Sequence, residues 1–212
     1  MARIFPGVVV GDGAAVDPTA IVGVPPMGVA EGKLATVIGD GAVIRAYTVI
    51  YAGVEVGARL HTGHGTTIRE DNVLGDDVSV GTHAVLEPGN QIGSRVRIHS
   101  GCFLEGAVVE DEVFLGPHVV FTDDPHPMCP RYKDCVGGAR VRRQASVGAN
   151  VTLLPGVEIG ERALVGAGSV VASDVAPGAV VAGNPARVVK QVDELVCWPG
   201  FFERPYAWRD RD

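Results

Sequence analysis

A six-residue period constrains this chain more than any other feature. Between Ile38 and Phe121 an aliphatic residue returns at every sixth position: Ile38, Ile44, Ile50, Val56, then Ile68, Leu74, Val80, Leu86, Ile92, Ile98 and Leu104. Val109, Leu115 and Phe121 continue the series after one five-residue step, and Thr62 is the only polar residue on the lattice. Neither a helix nor an amphipathic strand repeats in six, so a sustained hexad predicts a parallel β-helix. Each hexad supplies one short strand and one corner, and three hexads close a triangular coil of about 18 residues. Lattice side chains then point inward and stack on those of the next coil, roughly 4.8 Å away. Gly53, Gly89 and Asn90 are expected at the corners, in tight turns with positive φ.

Composition adds bounds. The 212 residues fit one all-β domain whose core is built by stacking. A net charge of −7 argues against nucleic acid and anionic membrane surfaces as partners. The first residues lack a basic-then-apolar leader, and no apolar run reaches membrane-spanning length, so a cytoplasmic protein is expected. Cys102, Cys129, Cys135 and Cys197 are then expected as thiols or metal ligands rather than a disulfide framework.

In chain order, residues 1–37 fit the period imperfectly and read as a cap, broken by a Pro-rich loop from Pro25 to Ala35. Counting hexads from Ile38 sorts the lattice into three faces. Ile44, Thr62, Val80, Ile98 and Leu115 share one, Ile50, Ile68, Leu86, Leu104 and Phe121 the next, and Ile38, Val56, Leu74, Ile92 and Val109 the third. The first face gathers Tyr47, His64, His83, His99 and His118, with His83 and His118 in one column about 10 Å apart. The adjoining face carries Arg69, Glu70, Glu87, Glu105 and Asp123. Imidazoles beside carboxylates on one corner, with the polar Thr62 nearby, predict a general base oriented by an acid. The third face reads as ordinary solvent surface.

Residues 122–140 break the period as a long Pro-rich flap. Within it His126, Cys129 and Cys135 have a spacing compatible with zinc, and Cys197 is a candidate fourth ligand. Free thiols are the alternative. The period resumes at Val141, Val147, Leu153, Ile159, Val165 and Val171 and reaches a turn at Gly183-Asn184-Pro185-Ala186-Arg187. The tail, 191–212, holds a short helix-compatible run, Val192 to Cys197, and an aromatic end with Trp198 and Trp208 that is expected to cap the last coil.

The hexads, the Gly148-Ala149-Asn150-Val151-Thr152-Leu153-Leu154-Pro155-Gly156 segment and Gly183-Asn184-Pro185-Ala186-Arg187 resemble the left-handed β-helix hexapeptide acyltransferase superfamily. His61-Thr62-Gly63-His64, Ile68-Arg69-Glu70-Asp71-Asn72 and Val119 to Asp124 are similar to segments of its sugar-nucleotide N-acetyltransferases. The resemblance implies a left-handed prism over 1–190 and a homotrimer with active sites between subunits. It also implies acetyl-CoA as co-substrate and a UDP- or dTDP-linked amino sugar as acceptor. The pantetheine arm would pass Gly148, Ala149, Asn150, Gly166 and Ala167, with Arg187 and Lys190 on the CoA phosphates. His83 and His64 are the candidate bases, and Arg69, Glu70, Glu87, His99, Glu105 and His118 the candidate acceptor ligands. His83 stands where the sugar-nucleotide enzymes resemble one another in carrying Asn, which leaves another small amine or a hydroxyl open as acceptor. A trimeric zinc enzyme of the carbonic anhydrase kind, using His83, His118 and His126, and a non-catalytic scaffold are the other readings of the same fold.

Overall fold

Each hexad folds into a strand of about two residues whose second side chain turns inward. The computed structural model describes residues 2–131, 134–135 and 137–211. One coil shows the pattern: Thr67–Ile68 lies in the first sheet, Val73–Leu74 in the second and Ser79–Val80 in the third, before Val85–Leu86 returns to the first. Ile68 pairs in parallel with Ile50 and Leu86, Leu74 with Val56 and Ile92, Val80 with Thr62 and Ile98. The three faces counted from the period are these three sheets. The architecture is therefore the all-β, left-handed parallel β-helix expected of hexapeptide repeats.

The interior is one continuous column of apolar side chains from Ala20 to Ala186. Ile50, Ile68, Leu86, Leu104, Phe121 and Leu153 are fully buried along the first sheet. Polar lattice residues are absorbed by internal hydrogen bonds. Thr62 is buried, where its Oγ1 accepts from the Arg45 amide at 2.9 Å and lies 3.1 Å from the Thr48 hydroxyl. It is a structural hydroxyl inside the prism and does not reach the surface chemistry expected of it. Asn90 likewise does not occupy a positive-φ corner. Its buried Nδ2 donates to Asn72 Oδ1 at 2.9 Å, its Oδ1 accepts from the Ala107 amide at 2.8 Å, and Asn72 Nδ2 donates to the Arg69 and Glu87 carbonyls. Buried amides that satisfy the backbone in this way fix a corner instead of weakening it.

The coils extend into the N-terminal segment as well: Arg3–Ile4, Val8–Val10 and Ala15–Val16 pair with the coil that follows, so the segment expected as a cap is itself wound as coils of the prism. The loop 25–35 leaves the first sheet after Ile21–Val24 and re-enters the second at Thr36–Ile38. The flap leaves the first sheet after Val120–Phe121 and re-enters the second at Arg140–Val141, so both excursions exit at the same corner. At the far end Ala179–Gly183 and Ala186–Gln191 form an antiparallel hairpin on the third sheet. The helix-compatible run reduces to a single 3-10 turn, Val192–Glu194.

Two surface features also depend on register. On the corner between the second and third sheets Arg59, Asp77, Arg95 and Glu112 alternate in sign one coil apart, bonded as Arg59–Asp77 at 2.6 Å and Arg95–Glu112 at 2.9 Å. Gln144 and Arg95 hold the Glu112 carboxyl down at about 2. That surface is thus an ordered charge ladder. On the first sheet the outward positions Val49, Thr67, Val85, Phe103, Val120, Thr152 and Val170 form a half-buried stripe without charge. No helix among the described residues is long and apolar enough to cross a membrane.

Close stacking sets a specific demand on glycine at the third-sheet corner. A Cβ on Gly81 would lie 2.3 Å from the Ser100 amide nitrogen, which is backbone and cannot yield. Gly81→Ala should therefore destabilise the fold by about 1–3 kcal/mol in denaturant unfolding. Gly13→Asn is the control, since a Cβ there meets nothing and Asn tolerates its left-handed backbone. Its unfolding midpoint should barely move.

Candidate active site

The turn between the third and first sheets is built from three columns of residues. In the last of them Tyr47, Gly65, His83, Gly101, His118, Asn150 and Gly168 follow one another coil by coil, all with positive φ. Their amides link each turn to the one before: His83 to the His64 carbonyl, His118 to Ser100, Asn150 to Pro117 and Gly168 to Ala149. The alternation with glycine has a steric cause. A Cβ on Gly65 would lie 2.7 Å from His83 Nδ1, and one on Gly101 would lie 2.3 Å from His118 Nδ1. Each exposed imidazole thus lies over the glycine of the preceding coil.

His64 sits in the neighbouring column, exposed, with its amide donating to the Thr82 hydroxyl at 3.2 Å. His99 follows the strand Arg97–Ile98 and packs against Phe114 with ring centroids 4.8 Å apart. The structure therefore brings Tyr47, His64, His83, His99 and His118 to one edge. The same edge continues without interruption into Gly148, Ala149 and Asn150 and then Gly166, Ala167 and Gly168.

Alanine has a chemical consequence in this groove. At the corner between the second and third sheets the corresponding amide donates to a side-chain oxygen one coil on, as Ala58 does to Asp76, Asp76 to Ser94 and Ser94 to Asp111, and at the present corner His64 does so to Thr82. The coil after Ala149 presents Ala167, which has no oxygen to offer. Among the described residues the Ala149 amide has no side-chain oxygen of this kind as a partner. Beyond it, Ser169 Oγ donates to the Gly166 carbonyl and accepts from the Gly183 amide, which ties the terminal hairpin to the groove. Arg187 and Lys190 lie exposed on that hairpin.

The carboxylates occupy a different corner from the histidines. Glu87 follows the strand Val85–Leu86, whereas His83 precedes it, so the first sheet separates the two groups. Four extended residues span roughly 13 Å, too far for a carboxylate to orient an imidazole of its own chain. Among the described residues no imidazole is hydrogen-bonded to a carboxylate side chain. At the carboxylate corner Arg69 bonds Glu70 and Glu87, each at 2.8 Å. Burial raises the Glu105 pKa, and the neighbouring charges of Asp123 and Glu87 push it further up. The loop 25–35 and the flap frame this corner from either end.

His126, Cys129 and Cys135 lie in the flap and Cys197 in the tail. All four cysteines are free thiols, and among the described residues no three His, Cys, Asp or Glu side chains are grouped to hold a metal. The four proposed zinc ligands are therefore not assembled within this chain, nor are His83, His118 and His126. Spacing along the chain does not decide whether such residues meet in space. The aromatic tail also departs from expectation. It does not cap the last coil but returns along the third sheet, where Arg209 donates to the Gln144 carbonyl and the Ser146 hydroxyl.

Comparison with known proteins agrees with the architecture. The model of the bacterial transferase hexapeptide family (six repeats) matches residues 35–70 and 138–173. A 2,3,4,5-tetrahydropyridine-2,6-dicarboxylate N-acetyltransferase of Clostridium perfringens is 56% identical over 48 residues, 23% of this chain and 20% of that protein. A protein of the same description from Staphylococcus aureus is 53% identical over 49 residues, again 23% and 20%. The match thus spans about a fifth of the length of these curated relatives. Among solved structures, a UDP-N-acetylglucosamine acyltransferase from Campylobacter jejuni superposes with a TM-score of 0.57 at 17% identity, covering 90% of this chain and 73% of that one. That likeness is one of fold.

The raised Glu105 gives a test of the carboxylate corner. A carboxyl whose folded pKa lies above its unfolded value weakens the fold once it is ionised, and the penalty disappears below the unfolded value. Glu105→Gln should therefore raise the melting temperature at pH 7, and the gain should vanish as pH falls below about 4. Thermal unfolding across that range reads it. An unchanged or lower melting temperature at pH 7 would contradict the assignment.

Proposed function

We propose that this chain, whose residues 35–70 and 138–173 match the bacterial transferase hexapeptide family model, transfers an acyl group, most simply acetyl, from CoA to the amine of a nucleotide-linked amino sugar. The observation that carries this reading is the single edge on which exposed imidazoles run directly into a groove of small residues. The pantetheine arm lies along Gly148, Ala149, Asn150, Gly166 and Ala167, and Arg187 and Lys190 meet the CoA phosphates. The amine nitrogen attacks the thioester carbon and forms the C–N bond while an imidazole takes its proton. The Ala149 amide is a donor for the tetrahedral oxyanion. Collapse of that intermediate breaks the C–S bond and releases CoA, with the proton returned to sulfur.

Geometry favours His118 as the base over His83 and His64. Its turn is bonded directly to the groove through the Asn150 amide and the Pro117 carbonyl at 2.8 Å. His83 lies two coils, about 10 Å, further from the thioester, in reach of the acceptor rather than of the reacting carbon. The reading includes a threefold assembly, for which the uncharged stripe on the first sheet is a suitable packing face. Packing through that face sets the histidine edge of one subunit against the carboxylate corner of the next, so Arg69, Glu70, Glu87 and Glu105 reach an acceptor from across the interface.

Thiol release from acetyl-CoA with a panel of UDP- and dTDP-amino sugars tests the reading. His118→Ala should lower kcat by about a hundredfold or more, the usual scale of general-base catalysis. A loss confined to KM would make His118 a binding residue. Thiol release with a small free amine and with no nucleotide-linked one would replace the acceptor and leave acyl transfer standing.

A further inference from the structure

We propose that the cleft between the third sheet and the returning C-terminal tail binds the nucleotide portion of the acceptor, with phosphates on Arg97 and Arg209 and the base against Trp208. The inference rests on the acyl-transfer reading for which molecule brings that nucleotide. The cleft encloses about 500 Å³, within the size of small-molecule sites. Its floor is the outward face of consecutive strands. Arg97 pairs in register with Phe114, and Phe114 with Ser146, so neighbours stand roughly 5 Å apart. Its roof is Tyr206, Trp208 and Arg209.

The charges are unbalanced. Arg209 is half-buried, its guanidinium lies 4.4 Å from the centre of the Tyr206 ring, and burial lowers its pKa. It donates to the Gln144 carbonyl and the Ser146 hydroxyl, and to no carboxylate among the described residues. Five N–H groups are available on a guanidinium, so donors remain for a ligand. Arg97 lines the same cleft and makes no ion pair among the described residues. Arg95, by contrast, is bonded to Glu112. Glu112 lines the cleft as well but is bonded to Arg95, so the exposed Arg97 and the half-buried Arg209 leave the cleft net positive on a chain of net charge −7, a site for an anion. Their planar forks suit phosphate. Phe114 and Trp208 in the same cleft supply flat apolar faces for a heterocyclic ring. Phosphate and an aromatic base together describe a nucleotide.

Position selects the acceptor's nucleotide over the donor's. Gly148 borders the cleft and also opens the groove. His118 lies four residues beyond Phe114 on the same coil, roughly 13 Å of extended chain, a distance a pyrophosphate and one sugar ring can bridge. The nucleotide of CoA would lie at the other end of the groove, beside Arg187 and Lys190. Arg97 also lines an adjoining cavity with His61 and His99, which extends the cleft toward the histidine edge.

The test uses full-length protein carrying Trp198→Phe, which leaves Trp208 as the only tryptophan. UDP, dTDP and CoA are titrated separately, with fluorescence and calorimetry read together. UDP or dTDP should change Trp208 emission saturably, and Arg97→Ala should weaken that binding by about tenfold or more, the scale of a lost charged hydrogen bond, while CoA affinity stays unchanged. The assignment is overturned if neither nucleotide binds, or if one binds without altering Trp208 emission or with the same affinity in Arg97→Ala. It is also overturned if Arg97→Ala weakens CoA instead, since the cleft would then hold the donor. Acetyl transfer to an amine without nucleotide binding sinks this inference alone. Nucleotide binding through Arg97 and Trp208 with no thiol release from any amine sinks the transfer reading and leaves the cleft standing.

Discussion

Everything in this molecule depends on the parallel pairing of one coil with the next. That pairing holds identical lattice positions about 4.8 Å apart, so Ile50, Ile68, Leu86 and Leu104 become one buried stack. The core is thus linear, and each coil rests only on its neighbours. The same spacing is imposed on everything outside the core. Corner residues fall into columns, and their chemistry is decided by what stands one coil above or below.

The two chemically distinct edges show how columns become sites. At the histidine edge, glycine alternates with imidazole because each ring fills the space over the preceding coil. Further along, Ala149 and Ala167 stand in the column where His64 donates to the Thr82 hydroxyl, and alanine has no oxygen to offer a turn amide. At the carboxylate corner, burial and then the like charges beside it leave Glu105 reluctant to ionise, while Arg69 neutralises Glu70 and Glu87. The corner between the second and third sheets escapes that strain by alternating sign from Arg59 to Glu112.

Much of this was legible beforehand. The period alone sorted the lattice residues onto the correct three sheets, and the histidines onto one of them, because a coil of constant length converts counting into geometry. Thr62 and Asn90 were misread for a common reason. Composition marks them as polar, but only the packed interior shows carbonyls and hydroxyls waiting inside the corner. The separation of His83 from Glu87 was missed because adjacency of faces was taken for adjacency of side chains. A strand of only two residues is enough to part them.

The sequence by itself determined the winding: hexads with an inward aliphatic permit no other economical burial, and that settles coil, faces and columns. Tertiary structure decided whatever breaks the period. The loop 25–35 and the flap leave by the same corner, and the tail turns back over the third sheet, where Arg209 reaches Gln144 and Ser146. Such contacts join residues far apart in the chain through non-repeating segments. No periodicity can announce them, because their geometry depends on which surface the finished prism leaves exposed.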